Sequence, residues 1–339
     1  MPKKSSDMYG SMLKMNMLSM LLNIILAIAV VVLVLEIPHI GTTAGSGLVS
    51  SPSHNSSVNN TGTSQYSGTT ANIDQPLNAT ELAVINNAPL NYYETAGEML
   101  LNGTLTNQVV LEPPSKVSHF SPYLFDGKPS VIYVGALSCI FCGENRWAMA
   151  LALGKFGTFN NLYKGYSSFG DGDIPTLYFS AYNYTTPSGA AFGNSYNSSL
   201  INLFTADYES PVTAGFEFPS TGIPYFVQHA PNATYRSAME FMNSTNEFSG
   251  TPFSYWGNSI VNGADAVIFG NTSQGATLPI AGMTHAQILQ QFRSFNDQFA
   301  WSEYAAADVY IAYTCPSVNN TAQVCSLPAI QTLESRLGV

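Results

Sequence analysis

Charge is what this 339-residue chain has least of. Asp, Glu, Lys and Arg together make up 9% of it, against ~25% in an ordinary soluble domain. Asn, Ser, Thr, Tyr and Gly fill the deficit, so the surface must be polar yet mostly uncharged. Only eleven residues are Lys or Arg, and Lys3, Lys4 and Lys14 precede the first apolar run, which leaves eight for everything that follows. With a net charge of −10, the chain lacks the clustered cations that nucleic-acid binding uses to displace counterions. Few carboxylates also means few groups that must protonate in acid, so composition points to an acidic exterior as the working environment.

Metal ligands and cofactor motifs are scarce as well. The five histidines (His39, His54, His119, His229 and His285) are scattered and form no H-x-x-x-H pair. His285 falls in the first turn of an expected helix and is read as a surface residue. Four cysteines could make a zinc site in principle, but the second pair is nine residues apart, and thiolate ligands are poor at low pH. G-x-S-x-G, P-loop and dinucleotide fingerprints are absent. No metal and no cofactor is therefore expected, and the nineteen Tyr and nineteen Phe are read as core and surface.

One long apolar run is present. Met17 to Leu35 reads MLSMLLNIILAIAVVVLVL, with Ser19 and Asn23 its only polar members. At helical rise such a run spans ~28 Å, close to the hydrocarbon thickness of a bilayer. The lysines lie on its N-terminal side and Glu36 follows, so residues 1–14 are expected in the cytoplasm, 15–37 in the membrane and the rest outside. A cleaved signal peptide is the competing reading. The run is long for one and no A-x-A site follows it; either way the bulk of the chain is exported. Ten N-x-S/T sequons agree with export: Asn55, Asn59, Asn78, Asn102, Asn183, Asn197, Asn232, Asn243, Asn271 and Asn319. All lie beyond the apolar run, although so Asn-rich a composition yields several by chance.

Residues 38–77 form a Ser/Thr/Asn/Gly-rich tract without apolar periodicity, expected to be a flexible stalk. A folded domain is expected over 78–339. Thr80 caps a helix through Leu82 and Val84, and Glu94 to Leu101 reads as a second helix ended by Asn102-Gly103. Ser130-Val-Ile-Tyr-Val-Gly135 is a β-branched apolar run that suits a strand buried on both faces. After Cys139-Ile-Phe-Cys142, a helix is expected over Glu144 to Phe156, closed by Gly157. Further strands are expected at Thr176–Ala181, Pro224–Gln228 and Ala266–Phe269. Helices are expected at Thr284–Phe292, with Thr284 as N-cap, and at Gln298–Tyr313. Strands interleaved with helices indicate a layered α/β fold.

An even number of cysteines in an exported chain favours disulfides, and sequence separation pairs Cys139 with Cys142 and Cys315 with Cys325. The second pair encloses CPSVNNTAQVC and reads as a structural staple worth roughly 2–3 kcal/mol on the loop-entropy model. The first pair has the order strand, C-x-x-C, helix that gives such a motif redox meaning. Cys139 would sit at a helix N-terminus, where unpaired N–H groups and the dipole favour a thiolate, and Cys142, one turn inside, would resolve a mixed disulfide. The competing readings are a permanent disulfide without chemistry and a metal site. No buried Asp or Lys is evident upstream of Cys139 as a proton acceptor, and Glu144 is the nearest carboxylate.

The stretch Gly127–Ala136, followed by Cys139-Ile-Phe-Cys142 and Glu144-Asn-Arg-Trp147, resembles an archaeal family catalogued as a domain of unknown function, number 929. The similarity continues through Gly154–Leu162, Tyr166–Ser168 and Ile174–Thr176, and returns at Gly282–Ile288 and Ala305–Asp308, Cys315 and Val324-Cys325. It covers roughly residues 85–335. The resemblance implies a thioredoxin-like three-layer core with insertions and a redox-type cysteine pair, with no substrate assigned. One departure is Ile140-Phe141 where a Pro-aromatic dipeptide is expected between the cysteines, which bears on helix-start geometry and redox poise. Thioredoxin-like folds place a cis-proline opposite the cysteines. Thr251-Pro252 is the first candidate, Ile223-Pro224 the second, and Ile174-Pro175 comes too early.

Two functions follow as expectations. One is a membrane-anchored extracellular thiol–disulfide oxidoreductase acting on protein thiols or disulfides through Cys139 and Cys142. The other is a glycosylated cell-surface binding or assembly protein that uses the same fold as an inert scaffold for another surface protein.

Overall fold

The computed structural model describes residues 75–105, 115–116, 121–137, 139–167, 174–181, 189–209, 222–261, 280 and 282–339. The expected membrane segment, all of the tract before Gln75, the strand expected at Ala266–Phe269 and the sequons Asn55, Asn59, Asn183 and Asn271 lie outside them. Among the described residues no helix is long and apolar enough to cross a membrane.

Eight helices and eleven strands are described. They begin with α1 (Ala79–Asn86) and α2 (Leu90–Leu101), followed by the strands β1 (Ser115–Lys116), β2 (Leu124–Phe125) and β3 (Lys128–Ala136). Helix α3 (Ile140–Leu153) comes next, then β4 (Thr158–Phe159), β5 (Tyr163–Tyr166), β6 (Pro175–Tyr178), β7 (Gly189–Phe192), β8 (Tyr196–Asn197) and β9 (Asn202–Glu209). Helices α4 (Ile223–His229) and α5 (Ala233–Ser244) precede β10 (Phe253–Trp256) and β11 (Ser259–Val261). The chain ends with α6 (His285–Ser294), α7 (Gln298–Thr314) and α8 (Pro328–Leu337).

The main sheet runs β1-β11-β10-β3-β9-β7, with β2 beside β3. Strand β3 lies parallel to β9, from Ser130 opposite Asn202 to Ala136 opposite Tyr208, and antiparallel to β10, with Val134 opposite Phe253. From Ser130 onward β3 is wholly buried. Val131 and Tyr133 join the core that contains α2, α3, α7 and α8. Ile132, Val134 and Ala136 join a second core with Phe226 of α4 and Met239 and Met242 of α5. Both faces of β3 are covered by helices, which is why its sequence is a continuous apolar run rather than an alternation.

Several expectations shift. Gln75 to Leu77, assigned to the stalk, belong to the fold: Pro76 bridges to Tyr163 and buried Leu77 donates its N–H to Leu162 O at 2.7 Å. Pro224–Gln228 is not a strand but most of α4, with Pro224 in its first turn. A proline there removes an N–H that no helical carbonyl would have used, and Ile223 and Phe226 make the buried stripe. The cysteine helix starts four residues earlier than expected and stops at Leu153, because Gly154 takes the C-cap. A Cβ on Gly154 would meet Ile85 O at 2.6 Å, so only glycine lets α1 approach there. Strands β9, β10 and β11 and helix α5 were not anticipated. NLFTADYE of β9 carries Asn, Thr, Asp and Glu, and its burial comes from the neighbouring strands rather than from apolar runs of its own.

Candidate functional site around Cys139

Cys139 stands where β3 hands the chain to α3. Its N–H donates to Ala136 O at 3.2 Å, and its sulfur caps the helix, accepting the Cys142 N–H at 3.4 Å. A sulfur in this place occupies the seat that Ser or Asp usually takes at an N-cap, facing the unpaired amides of the first turn. Cys139 keeps 9% of its surface and Cys142 none. Neither is joined in a disulfide, in contrast to the pairing that sequence separation suggests. Phe141, between them, is 37% exposed and is one of two large apolar side chains that face solvent among the described residues.

The Thr251–Pro252 peptide is cis. It directly precedes β10, whose Phe253 pairs with Val134 of β3, and the Cys139 thiol lies 3.9 Å from Thr251 O. The other two candidates are elsewhere: Ile223-Pro224 opens α4 and Ile174-Pro175 leads into β6.

Beneath the cysteines lies a charged group that sequence reading missed. Arg146, four residues after Cys142, is fully buried and reaches Asp207 Oδ1 at 2.6 Å and Ala136 O at 2.8 Å. Its guanidinium lies 5.7 Å from the ring centres of both Tyr133 and Tyr178. Burial disfavours its charge, but Asp207 and the neighbouring Tyr133 and Cys142 hold it protonated above its ordinary value. Burial pushes the Asp207 carboxyl up, and Arg146 pulls it back. Gly135 makes room for the pair: a Cβ there would collide with the Tyr133 hydroxyl and lie 2.6 Å from Asp207 Oδ1. Strand β9, which comes after the cysteines in sequence, thus brings the Asp207 carboxylate to Arg146. The signal available in the sequence was Glu144-Asn-Arg146, three polar residues inside an otherwise apolar helix.

Burial raises the Cys142 thiol well above its ordinary value, the hydrogen bond and charge of Cys139 raise it further, and Arg146 opposes them. Glu144, named from sequence as the nearest carboxylate, is also buried, but its charge partner is Glu303 of α7. His285, read as a surface residue, is buried, with Nε2 2.9 Å from Gly165 O and 2.8 Å from Thr176 O. Burial lowers its pKa to about 4. It fills a niche between α6 and the β5–β6 hairpin beside Trp147.

Cys315 and Cys325 form a disulfide with an S–S distance of 2.03 Å behind α7. Among the described sequons, Asn78, Asn102, Asn197, Asn232, Asn243 and Asn319 are all exposed. Asn78 and Asn232 also cap α1 and α5. Among the described residues no group of three or more His, Cys, Asp or Glu side chains is arranged to hold a metal ion.

A family model described as Domain of unknown function (DUF929) matches residues 114–315, more than half of the chain. The chain belongs to this family. The DUF929 region spans the cysteine motif, the Arg146–Asp207 pair and the cis peptide, and ends at Cys315. No curated protein and no solved structure matches the chain.

Proposed function

We propose that this DUF929 protein is a thiol–disulfide oxidoreductase with a thioredoxin-like core, held at the outer face of a membrane by the Met17–Leu35 segment and glycosylated on its exposed sequons. The observation that carries the reading is the Cys139 sulfur at the N-cap of α3, beside the carbonyl of a cis Thr251–Pro252 peptide. The strand order supports the fold assignment: β9 and β3 run parallel with α3 between them in sequence, and the antiparallel β10–β11 hairpin continues the sheet on the far side of β3.

In the reducing direction the Cys139 thiolate attacks a substrate disulfide. A Cys139–substrate disulfide forms, and the departing substrate sulfur takes up a proton. Cys142 then gives up its proton and attacks the Cys139 sulfur. The Cys139–Cys142 disulfide forms, and the second substrate sulfur leaves as a thiol. One disulfide is reduced to two thiols while one dithiol is oxidised; the oxidising direction is the reverse. Arg146, the cation beneath Cys142, favours the ionised sulfur in the second step.

The test is to mix the reduced full-length chain with a small aromatic disulfide and then with a protein disulfide. The natural chain is expected to release thiol, Cys139→Ser to release none, and Cys142→Ser to accumulate a mixed disulfide through Cys139. A Cys139→Ser protein that performs like the natural chain would sink the proposal.

The burial of both sulfurs favours a second reading, an inert scaffold at the cell surface. Differential alkylation separates the two: a 139–142 couple that neither alkylates when reduced nor opens under mild reductant, like the 315–325 staple, belongs to a scaffold.

A further inference from the structure

The helix that begins at the cysteines has a second buried polar face, turned away from Arg146. Glu144 and Glu303, on α3 and α7, are each about 1% exposed. Among the described residues no hydrogen-bond donor reaches any of their four carboxyl oxygens. Polar groups on the elements packed against α3 and α7 make bonds of their own. Asn145 Nδ2 donates to Phe141 O at 2.9 Å, and Asn145 Oδ1 accepts the Tyr310 hydroxyl. From α2, Tyr93 donates to Leu151 O at 2.9 Å. From the hairpin, Tyr178 donates to Tyr166 O at 2.7 Å. From α6, His285 is engaged with two carbonyls. Arg146 is held by Asp207 on the sheet side. The charged group that acts on Glu144 is another acid, Glu303.

Two ionised carboxylates cannot persist in such a place. Each would lack both water and donors, and each would repel the other in a medium of low polarity. A protonated carboxyl costs far less to bury. We propose that Glu144 and Glu303 form a proton-dependent latch between α3 and α7, closed when both carry protons and opened when they ionise, so that the packing of these two helices is strongest in an acidic medium.

Burial, then the charge of Glu303, raises Glu144 well above its ordinary value, and burial raises Glu303 to about 8. The unfolded chain would release these protons near 4.5. Between those limits the folded state holds more protons than the unfolded one. The latch is therefore at full strength below about pH 4.5 and is lost as the pH rises toward about 8. Asp308 adds to the same trend. It is buried on α7 with no donor to either oxygen, its carboxyl close to Gly97 of α2, and burial and then Glu94 raise it. His285 works the opposite way, so a variant comparison is needed to isolate the latch. The inference does not depend on what the cysteines do.

All three tryptophans (Trp147, Trp256 and Trp301) lie in described helices or strands, so their fluorescence follows unfolding of the full-length chain. Urea unfolding is measured in detergent at about pH 4.5 and about pH 7.5. The natural chain's unfolding constant is expected to rise about tenfold per pH unit for each carboxyl still holding its proton in the fold. The Glu144→Gln/Glu303→Gln chain, in which neutral amides replace neutral carboxyls, is expected to match the natural chain in acid and exceed it near neutrality. The latch is overturned if the two chains shift in parallel with pH. It is equally overturned if Glu303→Gln alone, the milder change, already unfolds more easily in acid. Should the double variant fail to fold, the single variant decides: equal stability in acid with a gain near neutrality supports the latch, and any other pattern removes it.

Discussion

Helix α3 buries charge on two faces and treats it differently on each. Toward the sheet, Arg146 meets Asp207 at 2.6 Å and a main-chain carbonyl at 2.8 Å. Toward α7, Glu144 feels the charge of Glu303, and among the described residues no donor reaches either carboxyl. Depth of burial is the same on both sides, so burial alone does not set the charge state; the partner does. The first face holds an ion pair whose stability depends on keeping both members. The second holds acids whose stability depends on keeping protons. Cys142 sits on the first face, one turn before Arg146, whose charge opposes the effect of burial on its thiol.

The largest expected effect comes from breaking the paired face. Arg146→Met leaves Asp207 buried without its counter-charge and should cost about 3–5 kcal/mol in denaturant unfolding at neutral pH. Asp207→Asn should cost a comparable amount, and removing both together should cost less than the sum, because one pair is lost in all cases. If Arg146→Met is tolerated within about 1 kcal/mol, the contrast between the faces collapses, since an unpaired acid would then be harmless on either.

His285 sharpens the contrast by titrating in the other sense. Its pKa is lowered to about 4 from an ordinary 6.5. The unfolded chain thus binds a proton that the folded chain refuses. Stability from this group is whole above about pH 6.5 and falls as the pH drops toward about 4, by about 3 kcal/mol over that interval. His285→Gln should flatten that acid-side loss. A natural chain whose stability shows no acid-side contribution from His285 would mean the ring is protonated in the fold.

How far these features could be read in advance follows from where the information lies. The β3 strand, the capped start of α6 at Thr284 and the long α7 were legible because burial or capping acts on consecutive residues. The cysteines at a strand-to-helix junction were legible for the same reason, and Thr251-Pro252 was reached through the family resemblance rather than from its own residues. Asp207, His285 and Glu303 were not. Each is a polar residue whose surroundings come from distant strands and helices: Asp207 from β9 packing on β3, His285 from the β5–β6 hairpin, Glu303 from α3. Helix α4 departs from the expected strand because Tyr-Phe-Val is a strand-like triplet, while Gly222 at the N-cap and Pro224 in the first turn mark a helix start.

A middle-sized effect tests the space around the paired face. Gly135→Ala puts a methyl group against the Tyr133 hydroxyl and Asp207 Oδ1. Overpacking of this kind costs about 1–3 kcal/mol, and here it should also displace Asp207 from Arg146. The substitution should therefore lower thiol reactivity of Cys142 as well as stability, measured by alkylation rate of the reduced chain. A stability loss with unchanged alkylation would separate the ion pair from the cysteine.

The smallest expected effect supplies the surface reference for the whole contrast. Lys164 Nζ lies 2.8 Å from Glu81 Oε1, with both side chains 16% exposed. The same carboxylate accepts the Asn78 N–H at 2.9 Å through Oε2, completing the capping box of α1. Water reaches both partners, so Lys164→Met should cost only about 0.2–1 kcal/mol. Glu81→Gln keeps an acceptor for the cap and should cost a similar amount, whereas Glu81→Ala loses the cap as well and should cost about 1 kcal/mol more. Added salt should erase the Lys164 effect and leave the cap effect. If Lys164→Met instead costs as much as Arg146→Met, exclusion of water is not what separates strong from weak pairs in this protein, and the difference between the two faces of α3 needs another cause.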